Sequence, residues 1–194
     1  MRVRDRDLFG TQPRGRGWGI AAAVWGFAEA TLFFLVPDVL LSWIALERPK
    51  RAFTACALAT AGALCGGLAT YAWARHDADA ARAVMVRLPG IDQALAERVD
   101  ADLTERGLDA VILGSARGRP YKLFAASWGA REGELFAFLL VSIPARLLRF
   151  FAVAAFSAAL RRYGLKHWPL GACRALHVAL WVAFYVWYWR AMTG

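Results

Sequence analysis

The 194-residue chain is poor in the side chains that build metal centres, crosslinks and nucleophilic sites. It has three cysteines, Cys56, Cys65 and Cys173, and three histidines, His76, His167 and His177. An odd cysteine count, with two of them inside one apolar run, argues against a disulfide framework. The cysteines read instead as small core residues. The histidines lack ligand-like spacing, so no metal is expected. Ser115, Ser127, Ser142 and Ser157 have no histidine near them in the chain, and no nucleophile with its base stands out. Neither enzyme chemistry nor a cofactor is expected.

Acids are also scarce: 15 Asp and Glu stand against 24 Lys and Arg, for a net charge of +9. No nucleic-acid-binding motif accompanies that excess. The basic residues flank apolar runs, which makes anionic lipid headgroups the expected partner and nucleic acid an unexpected one. Hydrophobic content of 59% and a mean hydropathy of +0.37 exceed what a soluble domain needs to fill its core. Nine Trp and twelve Phe agree, since indoles favour membrane interfaces. The expectation is one all-α, multi-pass membrane domain.

Residues 1–17 hold five Arg against two Asp and read as a basic N-terminal arm. Arg14 and Arg16 precede an apolar run containing Ala28-Glu29-Ala30, which resembles a signal peptide. The run continues through Val36, as a cleaved segment would not need to, so it is read as retained. The stretch 18–46 is 29 residues long and carries Pro37-Asp38. One span needs about 20 residues and two need about 40. A re-entrant helical hairpin, turning at 35–38, fits that length. Pro37 cannot continue a helix cleanly, and Glu29 is costly in hydrocarbon, so both belong against protein or a wet cavity.

A first full span follows at 52–74, with Gly62 and Gly66 four apart. Small residues at that spacing let another helix approach closely. Residues 78–106 are rich in acids, with six of the 15, and Ala80, Val84 and Leu88, then Ile91, Leu95, Val99 and Leu103, recur at helical spacing. They predict two amphipathic helices along the membrane surface, or packed on the protein, ended by Gly107. Residues 108–130 are again apolar but broken by Arg117, Arg119, Pro120 and Lys122, a second hairpin with its turn at Pro120. Spans at 133–160 and 168–190 complete the chain. Trp181, Tyr185, Trp187, Tyr188 and Trp189, with Tyr71, are expected to anchor at an interface.

Loop charges give an orientation. The arm, the 47–51 loop and the 161–167 loop are positive, whereas 75–106 and 131–134 are negative. A cytoplasmic N-terminus places every positive loop inside, provided each hairpin returns to its own side. The two hairpins then enter from opposite sides, each followed by a span, as an inverted repeat that builds a site at the midplane.

The order Glu29…Pro37-Asp38, Gly62-x-x-x-Gly66…Tyr71, Gly107…Pro120-Tyr121-Lys122…Gly129, Arg146-x-x-Arg149-Phe150 resembles the DedA family, also called the VTT or SNARE-associated Golgi protein domain. The resemblance covers about 20–165 and is nearest to a small bacterial branch with P-x-K-x-F in its second hairpin. It implies a bacterial inner-membrane protein with two facing re-entrant hairpins that moves lipids between leaflets, coupled to an ion gradient. The cargo would be a polyprenyl phosphate or a phospholipid. Glu29 and Asp38 match the family's acidic pair, and Arg117 its basic residue three before the hairpin proline. The family's arginine three after that proline is Leu123 here, beside Lys122, and the departure bears on substrate identity.

The charges then have assignable tasks. Arg117, Arg119, Lys122, Arg146 and Arg149 would hold a lipid phosphate, because a guanidinium fork matches phosphate oxygens. Arg146 and Arg149, three apart, share one helix face. Glu29 and Asp38 would take up and release the coupling ion: protonated, they leave the basic residues free for phosphate; ionised, they pair with them. The plainer alternative is that the same charges only pin the hairpins together, with Asp38 acting as an N-cap and Arg119 and Arg149 snorkelling to an interface. A membrane scaffold, or less readily a lipid-phosphate enzyme, is the competing class, and a homo-oligomer is compatible with either.

Overall fold

The computed structural model describes residues 16–193, so the basic arm up to residue 15 lies outside the described residues. The described residues are helical, with no strand among them. The order is α1 (Arg16–Ala30), α2 (Asp38–Glu47), α3 (Pro49–His76), α4 (Ala78–Met85), α5 (Gln93–Arg106), α6 (Asp109–Ala116), α7 (Tyr121–Ala130), α8 (Leu135–Ala159), which runs into a π-helical turn (Leu160–Gly164), and α9 (Leu170–Thr193). Among the described residues, three helices are long and apolar enough to cross a membrane: Pro49–His76, Leu135–Gly164 and Leu170–Arg190.

Local chemistry sets most of the breaks. Pro37 stands at the cap of α2 and Pro49 at the first position of α3, where a missing N–H is harmless. Asp77 and Asp92 cap α4 and α5 by accepting from Ala80 N (2.9 Å) and Leu95 N (2.6 Å). Gly107 ends α5 at φ +57°, as the sequence predicts. The first break comes earlier than predicted. Helix α1 stops at Ala30, where the Thr31 hydroxyl donates back to Phe27 O (3.1 Å) and Ala28 O (2.9 Å). Such back-bonding competes with the helix ladder. Residues 31–37 then form an irregular turn, held by Trp25 Nε1 donating to Leu35 O at 3.0 Å.

Helices α3 and α8 pack on each other and hold α1, α2, α6 and α7. Helix α1 lies along α3, and α7 packs on the same helix; α2 and α6 pack on α8. The glycine face of α3 is what admits α1. A Cβ at Gly62 would run into the Ala23 carbonyl, and one at Gly66 into the Phe27 carbonyl. That close approach is the one anticipated for Gly62 and Gly66. Helices α4 and α5 pack on the protein through Ala81, Met85, Ala96, Val99 and Leu103, which join Tyr121, Phe124 and Phe138 in one core. The buried face of α4 is one residue out of the predicted register, with Ala81 and Met85 inside instead of Ala80 and Val84.

Two small expectations are corrected. Tyr71 is not an interface anchor: it is buried, stacks on Phe138 and donates to Gly133 O at 2.5 Å. Cys56 and Cys173 are buried as expected of core residues, but Cys65 is exposed on the outer side of α3.

Candidate functional site

The 31–37 turn leaves Glu29, at the end of α1, and Asp38, at the start of α2, facing the same helix. Glu29 forms an ion pair with Arg146 of α8, and Asp38 pairs with Arg149 one turn further on at 3.0 Å. Three of the four side chains are buried, and Arg149 is 22% exposed. Because Arg146 and Arg149 are i, i+3 on one face, each takes one acid from either flank of the turn. Asp38 is therefore an ion-pair partner and not an N-cap; Pro37 holds the cap position, with no side-chain cap bond. Arg149 does not snorkel outward.

The Arg146 guanidinium is enclosed by aromatic rings, 5.1 Å from the Tyr121 centroid and 4.6 Å from that of Phe150. Its Nε and Nη1 find no hydrogen-bond partner among the described residues, nor does the Tyr121 hydroxyl or Asp38 Oδ1. Buried polar atoms of this kind are uncommon in a purely structural core. Tyr121 fits there because Gly67 of α3 presents no side chain against its ring. The neighbouring Lys122 is buried too, and its Nζ donates to Phe33 O of the 31–37 turn at 2.6 Å. The segment that follows Pro120 thus grips the segment that precedes Pro37.

A cavity of about 510 Å³ reaches part of this cluster, and Arg146 and Tyr121 are not in its lining. Glu29, Asp38, Lys122 and Arg149 line its charged end, and most of its remaining wall is apolar, from α8 and α9. Arg117 and Arg119 are not brought into it. Arg117 caps the end of α6 and is exposed, and Arg119 is in an ion pair with Asp102 of α5. Of the five basic residues expected around a phosphate, the structure gathers three, Lys122, Arg146 and Arg149. Both acids stand beside them.

Helix α9 adds residues that the sequence does not mark for this site. The Ser42 hydroxyl lies 2.8 Å from His177 Nε2, and the Trp181 indole N–H donates to Ser42 Oγ (3.2 Å) and His177 Nε2 (3.1 Å). The Tyr185 hydroxyl accepts from Val36 N at 3.0 Å. Arg174 bridges to Glu47 at 2.7 Å. Trp181 and Tyr185, expected at an interface, instead dock on α2 and the 31–37 turn. The available signal was spacing: His177, Trp181 and Tyr185 are each four apart, hence on one face. The Ser42–His177 contact joins positions 135 residues apart. It lacks the third group that orients a catalytic base, because His177 Nδ1 has no partner among the described residues. No cluster of His, Cys, Asp and Glu fit for a metal occurs among the described residues.

No family model matches this chain, and neither do the curated proteins or the solved structures with which it was compared.

Proposed function

We propose that this is a DedA-like membrane transporter, an ion-coupled flippase that moves a phosphate-bearing lipid, a polyprenyl phosphate or a phospholipid, across the bacterial inner membrane. One observation carries the reading: two acids from one broken segment, Glu29 and Asp38, pair with two arginines one turn apart, Arg146 and Arg149, beside a cavity that Lys122 also lines. Charges buried in so apolar a chain are costly and mark ion or substrate paths more often than not.

The same segments supply the architecture of the proposal. Helices α1, α2, α6 and α7 are 15, 10, 8 and 10 residues long. At 1.5 Å per residue α2, α6 and α7 reach at most about 15 Å, and the described stretch of α1 about 22 Å, short of a hydrocarbon core of about 30 Å. We read α1–α2 and α6–α7 as re-entrant hairpins, entering from opposite sides, with the N-terminus cytoplasmic. Their packing supports an inverted repeat: α1 on α3 corresponds to α6 on α8, and α7 on α3 to α2 on α8. In the cycle, protonated acids release Arg146 and Arg149 to a lipid phosphate beside Lys122. Ionised acids pair with the arginines again and expel it.

Purified protein in liposomes with labelled lipid tests the reading. Lipid crossing between leaflets, faster under a proton gradient and lost in Glu29→Gln and Asp38→Asn, is expected. Wild-type flux from either variant refutes the coupling role. A released headgroup would identify an enzyme, and neither movement nor cleavage a scaffold.

A further inference from the structure

We propose that the cavity opens sideways between α8 and α9, and that this gap carries the hydrocarbon chain of the bound lipid. The site then takes up a whole anionic amphiphile and not a free headgroup. The inference rests on the lipid-transport function proposed above and adds how the cargo enters.

The walls of the cavity divide by chemistry. Its inner end holds Asp38, Lys122 and Arg149, whereas Val153 and Phe156 of α8 face Leu176 and Leu180 of α9 across the rest. An anion fits the inner end and only hydrocarbon fits the outer one, which is the layout of a lipid. Asp38 reinforces the assignment: its side chain is 3% exposed, and Oδ1 has no partner among the described residues. A protonated Asp38 can donate to a phosphate oxygen held by Arg149, since a protonated carboxyl carries one O–H donor.

The two helices that form the outer walls do not hold each other. Helix α9 packs chiefly on α2. Its fixings there are the Arg174–Glu47 bridge, the Ser42–His177–Trp181 contacts and the bond from Val36 N to Tyr185. These lie on the α2 side, and the cavity separates Val153 and Phe156 of α8 from Leu176 and Leu180 of α9. At the lips of that opening Phe156 is 70% and Leu180 57% exposed. Both helices are long and apolar enough to cross a membrane, so the lips would meet lipid.

Size leads to the same place. About 510 Å³ suits a ligand of drug size. The two acyl chains of a phospholipid, or a polyprenyl chain, exceed that, so much of the hydrocarbon must leave the cavity. The gap between α8 and α9 is an apolar way out that leads away from the charged end.

The test uses the full chain in nanodiscs of neutral phosphatidylcholine, with two probes, long-chain phosphatidic acid and glycerol 3-phosphate, compared by competition. Val153→Trp and Leu180→Trp fill the gap, Arg149→Ala removes the anchor for phosphate, and Leu148→Trp, on the exposed side of α8, controls for added bulk. Each gap variant is expected to weaken phosphatidic acid binding at least tenfold and to leave glycerol 3-phosphate within twofold. Arg149→Ala is expected to weaken both probes, and Leu148→Trp neither. Unchanged lipid affinity in both gap variants, with Arg149→Ala still impaired, overturns the lateral path and leaves the headgroup site standing. Loss of both probes in the gap variants overturns it as well, because the gap would then serve the head and not the chain. Unchanged binding in Arg149→Ala overturns the headgroup site, and the lateral path with it.

Discussion

Arg146 of α8 closes on the carboxylate of Glu29 at the end of α1, with 1% and 6% of the two side chains exposed. The guanidinium lies between the Tyr121 and Phe150 rings, and two of its nitrogens make no bond among the described residues. The pair links the first broken segment to the helix that follows the second. Desolvating two charges is costly, and only close pairing offsets it. Removing one partner is therefore far worse than removing both.

Arg146→Met is expected to destabilise the protein by about 3–5 kcal/mol, because it leaves Glu29 buried and unpaired. The double variant Glu29→Leu/Arg146→Met should recover most of that loss while remaining inactive in lipid transport. Thermal unfolding in detergent alongside a liposome flux assay separates the two effects. A double variant no more stable than the single one would contradict the pairing.

At Asp38 the geometry of the donor matters as well as its charge. Arg149→Lys keeps a cation 111 residues away in sequence from its partner but loses the planar fork. Flux in Arg149→Lys should fall about tenfold or more, with a stability loss of only about 1 kcal/mol, as for a partly exposed ion pair. Equal flux in the two proteins would show that a point charge suffices.

The glycine face of α3 gives a packing test remote from the charges. Gly62→Val pushes a side chain into the Ala23 carbonyl of α1. Overpacking should cost about 1–3 kcal/mol or more, and it should lower flux by displacing Glu29. Gly171→Ala, where a Cβ meets nothing, should cost no stability and add up to about 0.4–1 kcal/mol by restricting the unfolded chain. Unfolding curves of the two variants give the comparison.

Arg119 and Arg117 separate the observed site from the predicted one. Arg119 is engaged with Asp102, and Arg117 is exposed. Alanine at either position is expected to leave transport within about twofold, with a stability change near 1 kcal/mol or below. A tenfold loss of flux in Arg117→Ala would return that residue to the phosphate site.

Much of the fold was legible because its signals are local. Apolar runs set the three long helices, Pro37 and Pro120 marked the two breaks, and Gly62 with Gly66 marked a close helix contact. The register of α4 was misread by one residue because Ala80, Ala81, Val84 and Met85 are all apolar enough to face a core. The early end of α1 was missed because Thr31 ends it through its own hydroxyl, a weaker signal than proline.

By itself the sequence determined that charges stand inside apolar segments, and that these segments break near them. Spacing and composition suffice for that, because both act within a few residues of chain. Only the tertiary structure decided which acid meets which arginine, since Glu29 and Arg146 are 117 residues apart and share no periodicity. The same holds for Ser42 with His177, and for Arg119, which Asp102 holds outside the cavity. Packing of α1 and α2 against α3 and α8 chose those partners. A buried charge must pair with whatever the packing places within reach.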